Sequence, residues 1–327
     1  MNTKQAKIIR FIIFLTIGAA IVWWLYRDQD LSELISTVRY DVNYWWIIAS
    51  LFAGLMSHVS RTIRWQMMIT PLSGRPRFIN TFLSVMIGYL ANLVVPRMGE
   101  VTRCAVLSKH EKMSFSQLFG TVVAERIVDV LSMLLSLALV FMLQFNVLTS
   151  IAGDSFDFSR LYASLTTPLP FVILAVAGLT LWLLRKNIKS SSLYIKVKGF
   201  ISKFKEGFLS IRDIENKTGF VLHSILIFAL YFAMMYFNFF AFNYTSHLSP
   251  LAGLTVFVFG ALAMVAPVQG GIGPWHFMVI TALIAYGINS GNAGIFALVV
   301  HGALNIMIIV FGLLSLVALP LANRQKK

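Results

Sequence analysis

From Ala293 to Leu319 the chain carries no Asp, Glu, Lys or Arg. Such a run leaves few folds open. Its backbone N–H and C=O groups need partners that lipid cannot give, and an α-helix supplies them all internally. About 20 apolar residues cross the ~30 Å hydrocarbon core of a bilayer. Runs of that kind recur at 8–26, 43–60, 118–143, 168–184, 219–243 and 293–319. With 58% hydrophobic and 12% charged residues, a water-soluble domain could not cover this surface. The expected fold class is therefore an all-α polytopic membrane protein with about six full spans, forming one integral-membrane domain over residues 1–327. The first run lacks a small-residue cleavage site and is expected to stay as an anchor.

Three further apolar runs, 78–95, 250–266 and 272–287, are ambiguous by length. Charge arbitrates the first. Lys4, Lys7 and Arg10 place the N-terminus inside, and Asp28, Asp30, Glu33 and Asp41 place the next loop outside. The run 43–60 then returns to an inner side carrying Arg61, Arg64, Arg75 and Arg77. A full crossing by 78–95 would put Arg103, Lys109 and the basic segment Arg185 to Lys217 outside, and Asp154 and Asp157 inside. That inverts the positive-inside rule. A re-entrant hairpin over 78–110, dipping from the cytoplasm with its tip near Pro96, restores it.

The segment 250–287 is read as a second hairpin from the opposite face, turning at Ala266 to Pro274. Its order Gly260, Ala263, Pro267, Gly270 echoes Gly88, Ala91, Pro96, Gly99, the pattern an inverted-topology repeat would leave. Between the hairpins, residues 186–217 show Val197, Phe200, Ile201, Phe204, Phe208 and Ile211 at helical spacing, with Lys196, Lys203 and Lys205 interleaved. This is an amphipathic helix expected on the inner leaflet. A net charge of +14 then points to anionic lipid headgroups, not nucleic acid.

Ionisable groups inside spans cost about 2.5–3.5 kcal/mol each on insertion scales, so they are paired or functional. Glu125 and Asp129 share one helical face, and Arg126 is placed to pair with Asp129. Arg97 and Arg103 of the first hairpin are the expected balancing cations, with Glu100 three residues before Arg103 and Asn92 before the proline break. Pro96 frees backbone groups, and a helix starting near Gly99 presents a positive end. Together these residues suit a lipid phosphate, or a structural ion network, or both. In the second hairpin, Gln269, Gly270, Gly271 and Gly273 form a turn able to expose backbone amides. His276 follows, and His301 and Asn305 share a face of the last helix. Without acidic company the histidines are read as proton carriers or bundle hydrogen-bonding groups, not metal ligands. Arg61 and Arg64 beside Trp65 read as an interfacial anchor. The single Cys104 excludes an internal disulfide or a multi-cysteine metal site. No cofactor is expected, and no nucleophile–base constellation appears.

The combination Asn92-x3-Pro96-Arg97-x-Gly99-Glu100-x2-Arg103, Glu125-Arg126-x2-Asp129 and Pro267-x2-Gly270-Gly271-Ile272-Gly273 resembles the lysylphosphatidylglycerol synthase transmembrane-region family, also called flippase-like or UPF0104 proteins. The likeness runs from about 10 to 320. It implies movement of a phospholipid, glycolipid or polyprenyl-phosphate lipid between leaflets of a bacterial inner membrane, with both termini cytoplasmic. Alternatives are a non-transporting subunit that presents lipid to a separate envelope-lipid transferase, and an intramembrane transferase. Lysyl transfer in the two-part family members belongs to a soluble C-terminal domain and is not expected of residues 1–327. The family commonly has Glu a few residues after the GIG turn, where this chain has His276.

Overall fold

The computed structural model describes residues 16, 20–27, 35–152 and 192–324. The predicted span 168–184, most of 8–19 and the start of the amphipathic segment, 186–191, lie outside the described residues. Those that are described form helices and turns without a strand.

Helix α1, Tyr44–Ser73, is 30 residues long, about 45 Å at 1.5 Å per residue. Asn43 caps it by accepting from the Trp45 N–H at 3.2 Å. Tyr44, Trp45 and Trp46 stay exposed at this end, as aromatic side chains do at a membrane–water interface. Gly74 ends the helix with φ +80, its N–H bonded to the Thr70 carbonyl. The sequence places the end of this span near residue 60; the helix instead continues past it, carrying Arg61 and Arg64 on its buried face.

The chain then bends by 118° into α2, Phe78–Val94. A break at 95–98 around Pro96 separates α2 from α3, Gly99–Glu111. The two arms pack against each other through backbone. A Cβ on Gly88 would sit 2.9 Å from the Gly99 carbonyl oxygen, the small-residue contact that lets helices approach closely. Asn92 bridges the break, accepting from the Gly99 N–H at 2.6 Å. The arms begin and end together: Asn80 of α2 donates to Glu111 of α3 at 2.5 Å.

Helix α4, Phe115–Leu143, and a short α5, Phe145–Ala152, follow. Helix α6, Ser192–Leu209, docks on α4 where Gly120 and Gly207 meet, and Phe204 packs on Phe119. Phe208 and Ile211 join a cluster with Met68 and Phe220, while Ile201, Lys203 and Lys205 remain exposed. The amphipathic segment thus packs one side on the bundle.

Helix α7, Lys217–Phe239, runs alongside α1. Helices α8, Pro250–Ala263, and α9, Pro274–Ala285, flank a ten-residue break at 264–273 that contains a single 3-10 turn. Helix α10, Ser290–Ala322, completes the bundle. Its end meets the start of α2 through paired Asn80 and Asn323 side chains. At the other end of the bundle, the Asn43 N–H donates to the Ala241 carbonyl, and the hydroxyl of Tyr286, the residue after α9, lies 2.8 Å from the Thr255 hydroxyl of α8 and 3.2 Å from the Gln144 side-chain oxygen.

The hairpins α2–α3 and α8–α9 therefore come from opposite ends and meet at their breaks, where Arg97 donates to the Val265 carbonyl at 2.8 Å. Helix α2 has 17 residues and α8 has 14, about 25 and 21 Å, against a hydrocarbon core of ~30 Å. The glycine echo between them does not extend to packing: Gly260 abuts the Trp275 indole, not a glycine.

Among the described residues, α4, α7 and α10 are each long and apolar enough to cross a membrane, and α1 with α2 qualifies as a bent pair. Leu131, Leu135 and Met142 of α4, and Leu314 and Val317 of α10, are exposed, an apolar surface of the kind that faces lipid. The protein is an all-α polytopic membrane protein.

Candidate functional site

Helix α1 puts His58, Arg61 and Trp65 on one stripe, with Arg64 beside them. Helix α4 puts Thr121, Glu125 and Asp129 on the facing stripe. Trp65 donates from Nε1 to Thr121 at 2.9 Å, which sets the helix register.

Glu125 has no exposed side-chain surface and accepts from four arginines. Arg61, Arg64 at 3.2 Å and Arg126 at 2.9 Å reach Oε1, while Arg103 reaches Oε2 at 3.0 Å. Asp129 accepts from Arg64 at 2.6 Å, from Arg61 at 2.8 Å and from Arg126 at 2.9 Å. Tyr231 and Ser224 of α7 take further N–H groups of Arg61 and Arg64. The Arg103 guanidinium lies 4.7 Å over the Trp65 ring. Removing a member of such a buried set costs about 3–5 kcal/mol where it leaves a partner's charge without a counter-charge.

Two sequence expectations change. Arg61 and Arg64 are not an interfacial anchor; they are the centre of the network. Their position just past an apolar run, next to a tryptophan, disguised them. The signal in the sequence is the spacing of His58, Arg61 and Trp65, which shares one face if the helix is extended. Arg97, expected to balance Glu125, is exposed and faces the other hairpin. It has φ +62, so the chain turns at Pro96–Arg97 and sends the side chain away from Arg103. The charge balance reverses accordingly. The network holds four guanidiniums against two carboxylates, where the segment of α4 alone carries a net negative charge.

Beside the network lies a cavity of about 60 Å³, lined by Val85, Gly88, Tyr89, Asn92, Gly99, Glu100, Arg103 and Arg126. A water needs about 10–15 Å³ by this measure, so the space suits a few waters or one phosphate-sized group. Arg126, 41% exposed, is where the network opens outward. The Oε2 atom of Glu100 is buried without a hydrogen-bond partner, as are both ring nitrogens of His58. The His58 ring lies 4.3 Å from that of Tyr89, whose hydroxyl is 3.3 Å from the Tyr231 hydroxyl.

The second group of predicted residues forms its own cluster. His276 and His301, apart in sequence, have rings 4.7 Å apart, with Trp275 stacked on His301. His301 bonds the Gly270 carbonyl at 2.9 Å, and Asn305 lies 3.4 Å from its other nitrogen. Gly270, Gly271 and Gly273 all have positive φ, the reason this turn needs glycine. Gln269 is buried within it. Among the described residues no hydrogen bond joins this cluster to the arginine network, and no three His, Cys, Asp or Glu side chains converge as a metal site.

The family profile described as "Lysylphosphatidylglycerol synthase TM region" matches residues 8–312. A UPF0104 membrane protein of Pyrococcus horikoshii is 23% identical over 306 residues, covering 88% of this chain and 89% of that protein. A UPF0104 membrane protein of Methanocaldococcus jannaschii is 31% identical over 132 residues, 39% of this chain and 38% of that one. No solved structure matches the chain.

Proposed function

Because this chain belongs to the lysylphosphatidylglycerol synthase transmembrane-region family, we propose that it is a lipid translocase whose headgroup site is the cavity beside the arginine network. The carrying observation is the surplus of guanidiniums over carboxylates next to a polar cavity, inside a bundle whose outer face is apolar. Arginine suits phosphate oxygens through its planar, paired donors. Acyl chains would remain against the exposed apolar faces while the headgroup enters through the side opened by Arg126. In this reading both hairpins are re-entrant, a reading supported by the shortness of α8, the breaks that follow α2 and α8, and the positive-inside distribution around the first hairpin. The distribution of Lys and Arg supports cytoplasmic termini.

One observation favours a second reading. Glu125 is fully enclosed and bound by four arginines, as in a static scaffold. A non-transporting subunit could hold lipid in the same cavity for a separate envelope-lipid transferase.

Reconstitution separates the two. Vesicles containing the protein should scramble a fluorescent anionic phospholipid faster than empty vesicles, and Arg126→Ala should slow this at least severalfold. Scrambling at the rate of empty vesicles, with lipid still co-purifying, would sink the translocase and leave the presenting subunit.

A further inference from the structure

We infer that His276 and His301 form a proton-operated latch on the second hairpin. While both rings are neutral they hold the break at 264–273 closed, and protons bind the conformation in which that break has opened. The latch goes beyond the headgroup site and does not depend on it.

Hydrogen bonds fix the protonation state of the closed form. His301 Nε2 lies 2.9 Å from the Gly270 carbonyl. A carbonyl only accepts, so this nitrogen carries hydrogen. Nδ1 of the same ring lies 3.4 Å from the Asn305 amide nitrogen, a donor, and so presents its lone pair. His276 Nδ1 likewise accepts from the Gly273 N–H at 3.4 Å. Each ring therefore turns one acceptor nitrogen to an N–H, as only a neutral imidazole does. Asn305 can rotate its amide and offer oxygen to a protonated His301. The Gly273 N–H has no such freedom, and a proton on His276 Nδ1 would meet it head-on.

The closed break also gives a proton no counter-charge. The two rings are 4% and 2% exposed, with centroids 4.7 Å apart. Helices α5, α8, α9 and α10 carry no other ionisable side chain. Residues 20–27 bring Tyr26, edge-on to His276 at 6.0 Å with its hydroxyl on the Gly294 carbonyl, and Arg27, which lies over Trp23. Helix α2 brings Tyr89, which lies against His58, and beyond it Arg97 bonds the Val265 carbonyl. Helix α1 commits Arg61 and Arg64 to Glu125 and Asp129. Arg39, Tyr40 and Asp41, on a turn that meets α10, are exposed. Among the described residues neither ring bonds a carboxylate.

What the pair holds is a turn with little stiffness of its own. Gly270, Gly271 and Gly273 all have positive φ, and glycine loses more freedom on ordering than any other residue. His301 grips the carbonyl at one end of this turn, and His276 grips the N–H at the other, where α9 begins. The same break carries the Val265 carbonyl that Arg97 bonds, so its release loosens the meeting of the two hairpins. A hydrated imidazole has a pKa of about 6.5. The open break then binds protons that the closed one refuses, and opening becomes more favourable as pH falls. Between pH 7.5 and 5.5, each histidine that charges only on opening multiplies the open population by about ten.

The test is hydrogen exchange of the purified full chain in detergent, corrected for the intrinsic effect of pH and read by mass spectrometry. From about pH 7.5 to 5.5, protection over 264–277 should fall by about tenfold or more, while that of 224–235 in α7 stays constant. His276→Gln supplies an oxygen for the Gly273 N–H, as Gln does at this position of a capping box. His301→Gln supplies an N–H for the Gly270 carbonyl. The double variant should lose the pH dependence. Equal protection at both pH values in the wild type overturns the inference. So does a double variant that elutes like wild type yet keeps the change. If the double variant aggregates, the wild-type onset decides: between about 5.5 and 7.5 it upholds the latch, and outside that range it overturns it. Opening at low pH in a protein that scrambles no lipid would uphold the latch and sink the translocase. Scrambling by a protein whose break ignores pH would do the reverse.

Discussion

Because the network carries more guanidiniums than carboxylates, removing an acid should hurt more than removing a base. Glu125→Gln leaves Arg61, Arg64, Arg103 and Arg126 with Asp129 as their only network carboxylate. The expected cost is about 3–5 kcal/mol, that of a stranded buried charge. Arg64→Met keeps the volume and forfeits the bonds to Asp129, Glu125 and Ser224. Yet it also relieves the surplus, so its cost should stay at about 1–3 kcal/mol, the value of lost charge-assisted hydrogen bonds. Arg75→Gln, on an exposed side chain, should change stability by less than about 0.5 kcal/mol. The double variant Glu125→Gln with Arg64→Met should cost less than the two singles added, by up to about 3 kcal/mol. Equilibrium unfolding in mixed micelles, followed by tryptophan fluorescence, gives all four values. An Arg64→Met cost equal to or above that of Glu125→Gln would refute the surplus. An Arg64→Met cost as small as that of Arg75→Gln would return Arg64 to the interface.

Three further outcomes follow from the packing. Gly99→Ala places a Cβ against the Gly88 carbonyl and Asn92, and should abolish monodisperse elution, whereas Gly302→Ala, with nothing within 4 Å, should be neutral or stabilise by about 0.4–1 kcal/mol. Gly207→Ala should push α6 off α4 at the Gln117 carbonyl, read as faster proteolysis within 192–209 at unchanged overall stability. Arg97→Ala removes the bond to Val265; because Arg97 is exposed, stability should change by under about 1 kcal/mol, while hydrogen exchange at 264–273 should quicken.

The sequence disclosed the helices and the breaks better than the side-chain partners. Apolar length and the residues Pro96 and Gly270 to Gly273 are local signals, and local geometry follows from them. The pairing of Glu125, Arg126 and Asp129 is also local, one helical face. Arg61 and Arg64 are different. Whether an arginine beyond an apolar run meets water or protein depends on what covers it, and α4 and α7 do so from far along the chain. Arg97 misled for the converse reason. Six residues from Arg103, it is separated from it by a reversal of the backbone at positive φ. His276 and His301 come together only because α9 and α10 pack side by side.

The bond between Asn80 and Asn323 also bears on how the chain is made. Arg77 reaches the carbonyl of Ala322, and Leu90 packs on Gly312, so α2 finds its neighbour only after α10 exists. At about 5–20 residues per second of synthesis, the interval between the two is roughly 10–45 s. Throughout it the first hairpin, with Glu100 and Arg103, waits without its final wall. Such late, distant closure slows folding and gives an insertase or a neighbouring lipid time to shelter the half-built hairpin. A chain truncated before α10 should therefore be degraded even though every charge of the network has already been synthesised.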